Sequence, residues 1–131
     1  MSDQLPPPPP PPPPPAYGPA TPQPLSADDE KLWSILVHVG GILFGFLAPL
    51  IGYLVLKERG PFVRAHTATA LNFQLTMLIG YLIGVVTSLL VIGIFILIGV
   101  WIATIVFGII AAVAASQGKY YVYPIAIRFV N

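Results

Sequence analysis

Between Arg64 and Lys119 the chain carries no charged side chain. The inner part of that run, Leu75 to Ala115, spans 41 residues with no polar side chain beyond hydroxyls such as those of Thr76, Thr87, Ser88 and Thr104. As one straight helix it would be about 61 Å long at 1.5 Å per residue. A bilayer's hydrocarbon core is only about 30 Å thick, so about 20 residues suffice to cross it. The run therefore predicts two helices folded back on each other, with both outer ends on one side of a membrane.

Composition supports that reading. The chain is 56% hydrophobic and only 8% charged, with a mean hydropathy of +0.82. Soluble domains carry about 25% charged residues, and a water-soluble fold would leave a large apolar surface uncovered. There is no cysteine, which excludes disulfides, thiolate metal sites and a thiol nucleophile. The net charge of +1 suggests no nucleic-acid partner. The polar, proline-rich start does not resemble a cleavable signal peptide, so the first membrane helix is expected to direct targeting.

Residues 1–25 form a separate region built on the unbroken run Pro6–Pro15. Proline has no N–H donor and a fixed φ, so this run cannot be an α-helix. A disordered tail is expected, with a polyproline II rod of about 31 Å in its middle. Pro14-Pro15-Ala16-Tyr17 matches the P-P-x-Y pattern read by WW domains; a low-complexity spacer is the plainer reading.

The transmembrane domain is expected over 26–131, with spans at about 32–56, 67–90 and 96–116. Ser26-Ala27-Asp28-Asp29 resembles a capping box ahead of the first span. Within that span Ser34, His38, Gly41, Gly45, Ala48 and Gly52 fall on one stripe, and Gly41 and Gly45 form a GxxxG pair. Helices in lipid approach closely along such small residues. Pro49 lies beside the stripe and predicts a kink. The second span places Thr76, Gly80 and Gly84 on one face, and the third offers Thr104, Gly108, Ala111 and Ala115. The fold class is thus an all-α integral membrane protein, three transmembrane helices in a compact bundle. The turn between the last two spans is expected near Val91–Phe95, with Thr87-Ser88 as the rival.

Lys57, Arg59 and Arg64 lie between the first two spans, and Lys119 and Arg128 follow the third. Three crossings leave Lys31 alone on the other side. The positive-inside rule then places the loop and C-terminus in the cytoplasm and the proline-rich tail outside the plasma membrane.

Chemistry is sparse. His38 lies inside the first span, where an ionisable group signals either function or a bond across the helix seam. Arg64, His66, Asn72, Gln74, Tyr123 and Arg128 are candidate polar or headgroup contacts near the cytoplasmic interface. None of the five carboxylates lies within a span, whereas proton relays normally need one. No phosphate-binding loop or metal-ligand spacing is present. No catalytic, metal or cofactor residue is assigned, and no enzyme activity is expected. Ile125, Ile127 and Phe129 alternate with Ala126, Arg128 and Val130, predicting a strand-like or surface-lying tail.

Pro61-Phe62-Val63 leading to His66 and Leu71-Asn72-Phe73-Gln74, with the ending Gly118-x-x-Tyr121-x-Tyr123-Pro124-x-x-x-Arg128-Phe129, resembles the domain of unknown function 4870 family. That family groups small bacterial membrane proteins with the twenty-kilodalton import component of the chloroplast inner envelope. The resemblance covers about residues 27–131. It implies no catalytic residue, and a link to protein import only through the plastid relatives.

The residues favour a non-enzymatic scaffold or assembly partner acting through helix–helix contacts. Its expected partners are membrane lipids and a second copy or another membrane protein. A component of a transport or protein-translocation assembly is the alternative. A regulator that binds anionic headgroups through Lys57, Arg59 and Arg64 is a third option.

Overall fold

A computed structural model describes residues 5–15, 18 and 20–131. The described part of the proline run, 6–15, is exposed and has neither helix nor strand. The P-P-x-Y pattern ends on residues 16 and 17, outside the described residues. Four α-helices follow: α1 Ala27–Phe44, α2 Leu47–Leu56, α3 Pro61–Thr87 and α4 Ile92–Ser116. No strand occurs among the described residues.

The Ser26 hydroxyl caps α1 by accepting the Asp29 N–H at 3.2 Å, and Asp28, Asp29 and Glu30 sit in its first turn. Carboxylates there offset the positive end of the helix dipole. The helix stops at Gly45, whose φ of +62° is poorly tolerated by other residues. Pro49 explains why it cannot resume in line. It has no N–H for the carbonyl of Gly45, and its ring would clash with that carbonyl. In the first turn of a new helix, α2, the missing N–H costs nothing.

This break changes the topology. Residues 32–56 were expected as one span, but α2 runs back along α1. A Cβ added at Gly40 would lie 2.8 Å from that of Ala48, and one at Gly52 would lie 2.7 Å from a methyl of Val37. At the open end the Leu25 N–H donates to the Arg59 carbonyl at 2.7 Å. The pair is a helical hairpin whose two ends lie together. At 1.5 Å per residue α1 is about 27 Å long and α2 about 15 Å.

Pro61 occupies the first turn of α3, where its fixed φ suits a helix start. The Val63 N–H donates to the Glu30 carboxylate at 2.9 Å, tying the starts of α1 and α3 together. α3 and α4 are joined by a 3₁₀ turn, Ser88–Leu90, and by Val91 at φ +63°. The reversal therefore falls at 88–91, overlapping both positions expected from sequence, Ser88 of the one and Val91 of the other. α4 returns beside α1: a Cβ at Gly108 would meet Ile42, and one at Gly118 would lie 3.1 Å from Lys31. Lys31 thus shares an end of the bundle with the 57–64 segment and Lys119, not the opposite end that three crossings require.

Two stretches are long and apolar enough to cross a membrane, Pro61–Leu90 and Ile92–Ser116. Side-chain polarity is inverted relative to a water-soluble protein. Ser34, His38, His66, Thr67, Asn72, Gln74 and Thr104 are buried, while Leu43, Val86, Phe95 and many other large apolar residues are exposed. Lipid accepts such a surface and water does not. Residues 117–131 form no helix; they lie in extended form against α3 and close the interior.

Candidate functional site

The two histidines, 28 residues apart in sequence, meet in the middle of the hairpin end of the bundle. His38 projects from α1 on the stripe that also holds Ser34 and Gly41, and His66 projects from α3. His38 Nε2 lies 2.8 Å from His66 Nδ1. His38 Nδ1 lies 2.9 Å from the hydroxyl of Tyr123 in the C-terminal segment. His66 Nε2 lies 3.0 Å from the Lys119 carbonyl.

One end of this row determines all the protons. A carbonyl only accepts, so His66 donates from Nε2 and its neutral ring accepts at Nδ1. His38 must then donate from Nε2 and accept at Nδ1, and the Tyr123 hydroxyl donates to it. Every member is satisfied with both rings neutral. Burial, with a smaller contribution from neighbouring Tyr121, pushes the Tyr123 phenol far above its ordinary pKa, so it remains a neutral donor.

Aromatic rings enclose the row. Phe73 stacks on Tyr123 with centroids 3.9 Å apart and planes 8° from parallel. Phe62 packs against His66 at 4.4 Å. Phe73, Met77, Ala111 and Tyr123 form the apolar core beside it.

Asn72 anchors the C-terminal segment. Its Nδ2 donates to the Val130 carbonyl at 2.8 Å, and its Oδ1 accepts the N–H groups of Phe129 and Val130, each at 2.8 Å. Thr76 accepts the Ile127 N–H at 2.9 Å, and the Tyr53 hydroxyl donates to the Asn131 carbonyl at 3.0 Å. An extended chain with unpaired N–H groups would be costly in this setting; these side chains substitute for a neighbouring strand.

The other candidate residues scatter. Arg64 is exposed, and Gln74 is buried against Gly41. Asn72, Tyr123 and Arg128 line one surface pocket of about 390 Å³. Ser34 donates to the Glu30 carbonyl within its own helix, and Thr76 donates to the Asn72 carbonyl. Gly52 faces Val37 and Thr67, Gly80 faces Val100, Gly84 faces Leu97 and Gly108 faces Ile42. Gly45 differs from its expected role, with nothing within 4 Å of its Cβ position; it ends a helix instead of packing one.

Sequence reading missed the contact between His38, His66 and Tyr123. The available signal was that these are the only two histidines in an otherwise uncharged interior. Among the described residues, no group of three or more His, Asp or Glu could hold a metal ion.

A family model described as the magnetosome magnetite crystal formation protein family matches residues 29–130. No curated protein and no solved structure matches the chain. The match corrects the resemblance to the domain of unknown function 4870 family and to the chloroplast import component. The residues behind that resemblance (Val63, His66, Asn72 and Tyr123 among them) hold helices and tail together, and packing motifs discriminate poorly between families.

Proposed function

Because the chain belongs to the magnetosome magnetite crystal formation protein family, we propose that it contributes to crystal formation as a non-enzymatic scaffold embedded in the membrane around the crystal. The observation carrying this reading is the use made of the polar interior. Among the described residues no buried side-chain nitrogen or oxygen lacks a hydrogen-bond partner. The histidines, Asn72 and Thr76 are spent on joining helices and tail. That supports an architectural role for the interior and an interactive role for the surface. No specific observation favours the alternative of a transport or translocation component.

The reading extends to topology. α3 and α4 cross the membrane, and the α1–α2 hairpin enters and leaves on one side. Lys31, Lys57, Arg59, Arg64 and Lys119 are five of the six Lys and Arg and lie at the end where that hairpin opens; Arg128 is exposed farther along α3, between the Ile127 and Phe129 N–H groups that Thr76 and Asn72 hold. By the positive-inside rule the open end faces the cytoplasm, and so do both termini. Three crossings would instead expose the N-terminal tail outside.

Two experiments test the proposal. In a magnetite-forming cell, deleting the gene should change crystal size or number in electron micrographs; unchanged crystals would remove the scaffold reading. For topology, the cysteine-free chain accepts single thiols at Thr21, Glu58 and Asn131. On intact isolated crystal-bearing vesicles, whose outer face is the cytoplasmic one, all three should react with a membrane-impermeant maleimide without detergent. A thiol at position 21 that reacts only after detergent, with the other two accessible, would restore three crossings.

A further inference from the structure

We propose that the slot between α1 and α2 binds one acyl chain of an anionic phospholipid, with the lipid phosphate against Arg59. The slot encloses about 520 Å³, within the range of about 300–1,000 Å³ usual for small-molecule sites. Its walls are Trp33, Leu36 and Val37 from α1 and Ile51, Val55 and Leu56 from α2. Ala48 and Gly52 line it too, where α1 and α2 touch. Leu36, Ile51 and Val55 are each about half exposed or more, so the slot opens on the outer surface of the bundle. With the hairpin embedded as proposed above, that surface is hydrocarbon.

Charge argues for the headgroup. Among the residues lining the slot only Arg59 is charged, and it stands at the open end of the hairpin, where its carbonyl accepts the Leu25 N–H. Its Nε–H donates to the Gln23 carbonyl. Its terminal N–H groups make no hydrogen bond among the described residues and suit the fork geometry of a phosphate. Trp33 at the same level is a typical interfacial anchor. Basic sites beside membrane helices hold anionic headgroups for the same reason.

The test uses the full chain, purified in detergent and stripped of lipid, then examined by native mass spectrometry with phosphatidylglycerol or phosphatidylcholine added. The wild type should retain one phosphatidylglycerol in preference to phosphatidylcholine. Val55→Trp fills the slot from its rim and should abolish that retention. Val55 is 62% exposed, so folding should survive; Ile51→Trp is the second variant should it not. Arg59→Gln should keep an acyl chain but lose about fivefold in the preference for the anionic lipid. Equal binding of both lipids by the wild type, or undiminished binding by both tryptophan variants, overturns the site. So does a disulfide between two Val55→Cys chains in native membranes, which would show a second copy covering the slot. None of these outcomes bears on crystal formation, so the scaffold proposal stands or falls separately.

Discussion

Replacing His38 with leucine lowers the stability of the detergent-solubilised chain by about 3 kcal/mol, the sum expected for two buried polar groups each left without a partner. A hydrogen bond between helices in lipid contributes only about 0.6 kcal/mol on average, so loss of the bonds alone would be minor. The larger cost comes from what remains. Leucine leaves the Tyr123 hydroxyl with no acceptor and His66 Nδ1 with no donor, at positions only 3% and 0% exposed. Neither can turn to water, because Phe73 stacks on Tyr123 and Phe62 packs on His66. A double-mutant cycle separates this from simple cavity formation. Tyr123→Phe should be costly in the wild type and nearly neutral in the His38→Leu background, where the hydroxyl has already lost its acceptor. Unfolding in increasing dodecyl sulfate, followed by circular dichroism, measures both effects. Equal costs in the two backgrounds would show that the row is not coupled.

The sequence revealed the elements more readily than their arrangement. The uncharged run from Ala65 to Gly118 could only be a pair of helices, and α3 and α4 are that pair. Pro61 opens α3, and Gly118 follows the end of α4 at a positive φ. The α1–α2 reversal was hidden by length, since 25 apolar residues are enough to span a bilayer and also enough to make a hairpin. What decides between them is local: Gly45 can adopt a positive φ, and Pro49 forbids the bond that would carry the helix past it. Taking Pro49 as a kink put Lys31 at the opposite end of the bundle from the 57–64 segment, whereas the structure holds the two together. The small-residue stripes were legible as faces, but lipid gives no hydrophobic preference for one apolar partner over another. Nothing in the spacing therefore told Gly41 that it would meet Gln74, or Gly108 that it would meet Ile42. The site suffered most, because His38 and Tyr123 lie 85 positions apart, one on a helix and the other in an extended segment whose alternation does not say which helix it lies against.

The second large effect is expected at the opposite end of the bundle. Gly93→Ala should destabilise the α3–α4 hairpin by about 3 kcal/mol, toward the upper end for overpacking, because backbone and not a rotatable side chain must yield. An added Cβ would collide with the Ser88 nitrogen, the Gly84 carbonyl oxygen and the Thr87 carbonyl carbon. Relief requires α4 to move away from α3 near a turn of only a few residues. That movement would also loosen Gly84 against Leu97 and Gly80 against Val100, the two glycine contacts one and two turns deeper. Gly99→Ala is the matched control on the same helix, since nothing lies within 4 Å of its Cβ position. It should leave thermal unfolding in detergent unchanged or slightly raised, as alanine favours helix over glycine by about 1 kcal/mol. If the two variants unfold together, the close approach at Gly93 does not hold the hairpin. The 3₁₀ turn and Val91 at positive φ would then be sufficient to set the angle between α3 and α4.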